Sequence, residues 1–391
     1  MPVPMRTAAM TAAVLALTAL TTGAAPRTAT APTACATTLW TAGTGGYASY
    51  RIPAVVNVRG TLVAFAEARK HSAADNGDID VVQRRSADGG CTWSPQKVVA
   101  ADGADTVGNP TPLVTAGGGL VLLTNRQKGS VTSAQIQAGT VPAADSRRVF
   151  VQTSRDAGAT WSARREITAS VKRRTWRWYA TGPGHGLTIT RGRAAGRLVA
   201  PADHSLAGPL HGGNTLLSDD SGRTWRLGAV DDHTDGVIQA DETTAAELPD
   251  GSVYFSSRQT YGTSPANRSY TYSTTSGSTY TAPFRPMPGI VTPPVEGALL
   301  QDPGSPTGVT CAPLLYSGPQ DPSTRQHLTL RRSTDRGLHW RTVTQITGPT
   351  TPAAYSDITK ADRTHVGIAY ETGTSGPYER IAWTTATVTC P

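Results

Sequence analysis

Apolar positions along the chain come in short runs separated by turn residues. The runs Ile79–Arg85, Val149–Thr153, Thr215–Leu217, Tyr270–Tyr272 and Leu328–Arg332 are each followed by a polar octapeptide. Four copies keep its frame. They are Ser86-Ala-Asp88-Gly-Gly90-Cys-Thr92-Trp93, Ser154-Arg-Asp156-Ala-Gly158-Ala-Thr160-Trp161, Ser218-Asp-Asp220-Ser-Gly222-Arg-Thr224-Trp225 and Ser333-Thr-Asp335-Arg-Gly337-Leu-His339-Trp340. A degenerate copy, Ser273-Thr-Thr275-Ser-Gly277-Ser-Thr279-Tyr280, fills the gap. A second repeat lies upstream of four copies: a turn glycine, then an apolar strand, as in Gly60-Thr-Leu-Val-Ala-Phe65 and Gly251-Ser-Val-Tyr-Phe255. Short strands bounded by turns, with no long helical period, predict an all-β chain.

The octapeptide has a mechanical reading. An Asp accepts backbone N–H groups inside a tight turn, Gly takes the left-handed conformation, and Trp packs back on the hairpin. The copies begin at 86, 154, 218, 273 and 333, about 60 residues apart. Four strands per such period is one propeller blade. Five turns predict five blades. A sixth is predicted from Tyr355–Thr359, Val366–Tyr370 and Arg380–Val388, with Ala36–Trp40 from the other end of the chain closing the ring. The expectation is a six-bladed β-propeller.

Composition changes this picture at three points. Forty Gly and 28 Pro in 391 residues supply the punctuation. The formal charge is +8, and only five of the 36 basic residues are Lys, leaving 31 Arg. Arg binds anions through a planar, two-point fork. Residues 1–25 place Arg6 before an apolar stretch and small residues, the pattern of a secretory signal. The expected organisation is a leader over 1–34 and a catalytic propeller over 35–391, secreted, without a membrane anchor. Export permits disulfides. Of the three pairings open to Cys35, Cys91, Cys311 and Cys390, Cys35–Cys91 with Cys311–Cys390 suits the blade layout slightly better than Cys35–Cys390 with Cys91–Cys311.

Candidate chemistry gathers at the strand ends opposite the turns. Arg51 sits in Tyr50-Arg-Ile-Pro53, Arg69 ends a strand, and Asp75 lies in a polar loop. Glu242 and Arg258 bracket a hairpin, Arg325 precedes a strand, and Tyr355 and Glu371 belong to the last blade. Three Arg from different blades facing one mouth would repel unless an anion sits among them. Lys172-Arg-Arg174 with Trp176 and Trp178 is a basic-aromatic segment, read as a solvated loop beside an aromatic wall rather than a nucleic-acid patch.

These motifs and their spacings resemble the exo-sialidases (neuraminidases) of bacterial and animal type, with Asp-box repeats, over residues 36–390. The resemblance implies that Arg51, Arg258 and Arg325 clamp a substrate carboxylate and that Glu371 holds Arg51. It implies Tyr355 as nucleophile, Glu242 as its base, Asp75 as acid/base, and Arg69 against a ring hydroxyl. Sialidases use Tyr where most retaining glycosidases use a carboxylate; a neutral phenol is not repelled by a carboxylate on the anomeric carbon. The stretch Trp178–His185 resembles the loop around the acyl and glycerol groups. Asn109 stands where many relatives carry Asp, which leaves the ring-hydroxyl contact open. The implied activity is removal of terminal sialic acids from glycans. A trans-sialidase, including the intramolecular type, and a non-catalytic glycan-binding propeller are the alternatives. Expected are no cofactor or metal, no nucleic-acid partner, no lectin module after the propeller, and a monomer.

Overall fold

The computed structural model describes residues 1–4, 35–208, 210–232, 235–264, 267–302, 313–362 and 364–388. Residues 5–25 of the predicted secretory signal and the predicted Cys311–Cys390 pair lie outside the described residues. The fold is all-β and propeller-like. Antiparallel meanders follow one another along the chain, and hydrogen bonding divides their strands into five sheets. One sheet has eight strands. It consists of two meanders, Ser49–Val58 to Lys97–Ala100 and Thr106–Val114 to Arg165–Glu166, joined by a single parallel pair, Ile79 with Thr106. The others begin at Tyr179, Ala240, Ala298 and Ala353. The last is completed by Thr37–Thr41, which pairs with Arg380–Thr387. The first and last strands of the fold are thereby zipped together, as the strand pattern predicts.

The apolar core lies between neighbouring sheets. Leu315, Leu328 and Leu330 of one sheet pack on Ile358, Val366 and Ile368 of the next. At the closure, Leu39, Trp40 and Trp383 pack on Val55, Leu62 and Val82. Two short helices depart from the all-strand expectation. Helix α1 (Ser133–Ala138) carries a capping box of Thr132 and Gln135 and ends on left-handed Gly139. Helix α2 is Thr168–Val171. Among the described residues no helix is long and apolar enough to cross a membrane.

The octapeptides form the turns predicted for them. Asp156 accepts from the Thr160 N–H (2.8 Å) and hydroxyl (2.6 Å), while the Ser154 hydroxyl accepts from the Gly158 N–H (2.9 Å). The backbone N–H bond to the Asp recurs at Asp88, Asp220 and Asp335, with the His339 ring in place of the Thr hydroxyl at Asp335. In the degenerate copy Thr275 takes the Asp position, its hydroxyl accepting from the Thr279 N–H at 2.9 Å. The turns also couple sheets. Gly277 O accepts from Thr215 at 2.7 Å, and the Trp161 indole donates to Gln83 at 2.9 Å.

Candidate active site

Four strands reach the mouth opposite these turns, and each loses its register there. The shifts fall between Arg51 and Ala54, Gly108 and Thr111, Ala240 and Thr243, and Ala353 and Ser356. A bulge bends the strand and re-aims its side chains. Here the bulges carry Arg51, Asn109, Glu242 and Tyr355. Ile52, with φ 58°, and Asn109, with φ 51°, sit in the left-handed region. For a β-branched residue that conformation is costly. At Ile52 it is held by its N–H, which donates to Glu371 Oε1 at 2.8 Å.

Glu371 organises one side of the site. Fully buried, it accepts from Arg51 Nε at 2.7 Å and from the Tyr355 N–H at 3.2 Å. Arg51 is thus aimed by an ion pair, and its guanidinium lies 3.8 Å from the ring centre of Tyr378. The Tyr378 hydroxyl accepts from Arg325 Nη1 at 2.6 Å. Arg258 Nη1 donates to Glu242 Oε2 and to the Tyr355 hydroxyl, both at 2.8 Å. The Tyr355 hydroxyl in turn donates to Glu242 Oε1 at 2.5 Å. The three guanidinium groups therefore converge on one phenol, with Arg51 and Arg325 at 5.3 and 5.6 Å from its ring centre.

Burial, and then Glu242, push the Tyr355 phenol well above its ordinary value; Arg258, Arg51 and Arg325 pull against them. The phenol is neutral, and its proton points at a carboxylate. Across the cavity, Arg69 Nη1 donates to Asp75 Oδ1 at 2.8 Å. Asp75 keeps 75% of its side chain exposed, whereas Arg69 keeps 3%. Desolvation by the surrounding cavity wall raises the Asp75 carboxyl, but Arg69, Arg51 and Arg147 outweigh it and hold it below the usual range. Asp75, Arg69, Glu242, Arg258 and Tyr355 line a common cavity of about 220 Å³.

All eight sequence-predicted residues lie at this mouth or directly behind it. Several others escaped the sequence. Glu67 accepts from Arg69 Nη2 (2.6 Å) and from the Asn109 N–H (2.8 Å). Its position two residues before Arg69, on the same strand face, was a usable signal. Arg147 is buried, donates to Asn109 Oδ1 at 2.5 Å and stacks 4.4 Å from the Trp178 ring centre. Asp203 lines the same cavity, fully buried, and burial with Asp241 and Glu242 raises its carboxyl well above the usual value. Tyr378, Arg147 and Asp203 carry no motif. Of the stretch Trp178–His185, Trp178 faces the cavity; His185 instead meets Asp357 at 2.7 Å beside a separate cavity. Among the described residues no group of three or more His, Cys, Asp or Glu is placed to hold a metal ion.

The chain is similar to several known proteins. The model of the BNR repeat-like domain matches residues 60–368. The Micromonospora viridifaciens sialidase is 30% identical over 358 residues, 87% of this chain and 53% of the relative. An Aspergillus fumigatus exo-alpha-sialidase is 32% identical over 276 residues, 66% of this chain and 61% of the relative. The chain thus spans only 53% and 61% of the length of these two relatives. Among solved structures, a Hadza microbial sialidase superposes with a TM-score of 0.76 at 25% identity, over 89% of this chain and 67% of that one. The Ruminococcus gnavus intramolecular trans-sialidase shares the fold, with a TM-score of 0.75 at 16% identity over 91% and 99%. With a family model covering most of its length, the chain belongs to the BNR repeat-like domain family, and the relatives it resembles include sialidases.

Proposed function

We propose that the protein is an exo-alpha-sialidase that hydrolyses terminal sialic acids with retention of configuration, on a six-bladed propeller in which each half of the eight-stranded sheet is one blade. The observation that carries the reading is the Tyr355 hydroxyl, held 2.5 Å from Glu242 and 2.8 Å from Arg258 amid three convergent arginines. Arg51, Arg258 and Arg325 bind the substrate carboxylate by charge-assisted hydrogen bonds. The Tyr355 oxygen attacks the anomeric carbon while its proton passes to Glu242. The glycosidic C–O bond breaks, and its oxygen takes the proton of Asp75. Water then attacks the tyrosyl-linked sugar, Asp75 accepts the water proton, and Glu242 returns its proton to the departing phenolate. Arg69 and Glu67 position Asp75 and face the ring hydroxyls. The leader-like N-terminus and a disulfide fit an exported enzyme acting on sialylated glycans.

The test is release of sialic acid from sialyllactose and from an aryl sialoside, with the anomer read by proton NMR in the first minutes. Tyr355→Phe is expected to lower kcat at least about 100-fold while sialoside binding persists. A wild-type protein that binds sialosides without turnover would instead be a glycan-binding propeller. A transfer product in place of free sialic acid would make it a trans-sialidase.

A further inference from the structure

We propose that a second cavity beside the catalytic one is a carbohydrate subsite that seats an acidic sugar residue, carboxylated or sulfated, of the same glycan. The proposal rests on the sialidase reading. The cavity, about 460 Å³, is bounded by α1, α2 and the loop over residues 172–177. That volume falls within the range of small-ligand pockets. The two cavities share Arg147, and α1 stands between them: Ser133 and Gln137 line the catalytic side, Ile136 the other.

Six cations line the second cavity: Arg147, Arg148, Lys172, Arg173, Arg174 and Arg177. Its sole lining carboxylate, Glu166, is taken by Arg148 at 2.6 Å. Arg173 pairs outside it with Asp232 at 2.7 Å. The other four have no carboxylate within ion-pair distance among the described residues. Lys172 Nζ donates to the carbonyls of Arg177 (2.6 Å) and Arg147 (3.2 Å), and Arg177 Nη1 to that of Gln137 (2.8 Å). These dipoles orient the cations without neutralising them. Burial first, and then Arg147 and Arg148, hold the Lys172 ammonium down to about 8. Arg174 is exposed at the rim.

The occupant follows from shape and position. An anion is required by the charge. A concave cavity, walled off from the catalytic one by a single short helix, suits a neighbouring acidic residue of a bound glycan. A polynucleotide would need an extended basic track. The segment Lys172–Trp178 thus acquires a use that its composition alone did not specify.

Two measurements test this. The first compares kcat/KM for a monosialyl and a disialyl oligosaccharide, and for a sulfated monosialyl one, in wild type, Arg174→Ala and Arg174→Ala/Arg177→Gln. Wild type is expected to prefer the doubly acidic substrates at least about fivefold, with the preference lost in the variants and in high salt. The monosialyl rate should stay unchanged. Equal rates on mono- and doubly acidic substrates in wild type would overturn the proposal. The second needs no turnover: titration of tryptophan fluorescence, Trp176 lining the cavity, with a sulfated oligosaccharide lacking sialic acid. Saturable change in wild type, with at least about tenfold weaker binding in Arg174→Ala, is expected. No saturable change, or tighter binding of a single-stranded oligonucleotide, would overturn it. Absence of any sialoside cleavage would sink the sialidase reading and leave this second arm to decide the subsite.

Discussion

At neutral pH the free Asp75 carboxyl is ionised, since the pull of Arg69, Arg51 and Arg147 exceeds the push of partial desolvation by the cavity wall. A general acid must carry its proton into the reaction. Above the Asp75 pKa, each further pH unit removes nine-tenths of the protonated form. The expected outcome is a kcat/KM for sialyllactose that falls about tenfold per pH unit on the alkaline side, because the sugar leaving oxygen needs that proton. With an aryl sialoside, whose leaving group departs as a stable anion, the fall should be shallower. Asp75→Ala should lose activity on sialyllactose far more than on the aryl sialoside. Equal loss on both, measured across pH 4–8, would remove Asp75 from the acid role and leave it as a partner of Arg69. The assignment of proton to phenol has the opposite dependence on surroundings. Tyr355 is pushed up by burial and by Glu242, so its proton leaves only by transfer to the carboxylate it already touches.

The octapeptide turns permit a prediction of each sign. Asp220 accepts two bonds from Thr224, at 2.8 and 2.6 Å. Asp220→Ala removes both acceptors and should cost about 1–2 kcal/mol in urea unfolding, with kcat per folded molecule unchanged. Thr275 makes a weaker version of the same turn. Thr275→Asp restores a charged acceptor to Thr279 and should gain roughly 0.5–1 kcal/mol. A loss there would mean that the neighbouring sheet, which Gly277 touches through Thr215, has set a turn shape that Asp does not fit. Turns of this kind were legible because their residue types are dictated within eight positions. So were Arg51, Glu242, Arg258, Tyr355 and Glu371, since each sits near the mouth end of a strand marked by its apolar run, and Arg325, which lies three residues before one. The bulges were not. A register shift at Ile52 or Asn109 depends on what the neighbouring strand offers, as the Glu371 oxygen does to the Ile52 N–H from 319 residues away. Arg147, Asp203 and Tyr378 were hidden for the same reason. Their partners are brought together only by the ring. The short helices escaped too, because helices of six and four residues are too brief to show a period.

Pairing of Thr37–Thr41 with Arg380–Thr387 ties the two ends of the described fold together. Thr37–Thr41 is the outer strand of the last sheet, whereas Ser49–Val58 opens the first meander. Cys35 and Cys91, 56 residues apart, form a disulfide that ties this outer strand to the first octapeptide turn. At the same seam Trp93 packs edge-on to Trp383, ring centres 5.4 Å apart, and the Gly90 backbone lies so close to Trp383 that a Cβ there would clash. In the chain-entropy account, a crosslink closing a loop of this length contributes about 4 kcal/mol, and measured losses for native disulfides run about 2–5 kcal/mol. Cys91→Ser should therefore lower the Tm by several degrees, with sialoside hydrolysis at 25 °C retained, because the catalytic mouth lies at the opposite strand ends. Cys35→Ser should lower it equally, and the double variant no further, since either change alone removes the whole crosslink. Wild type under a reducing agent should melt with the single variants. If reduction leaves the Tm in place while Cys91→Ser lowers it, packing of the turn against Trp383 holds the seam. The strand ladder between Thr37–Thr41 and Arg380–Thr387, rather than the disulfide, would then be what closes the ring.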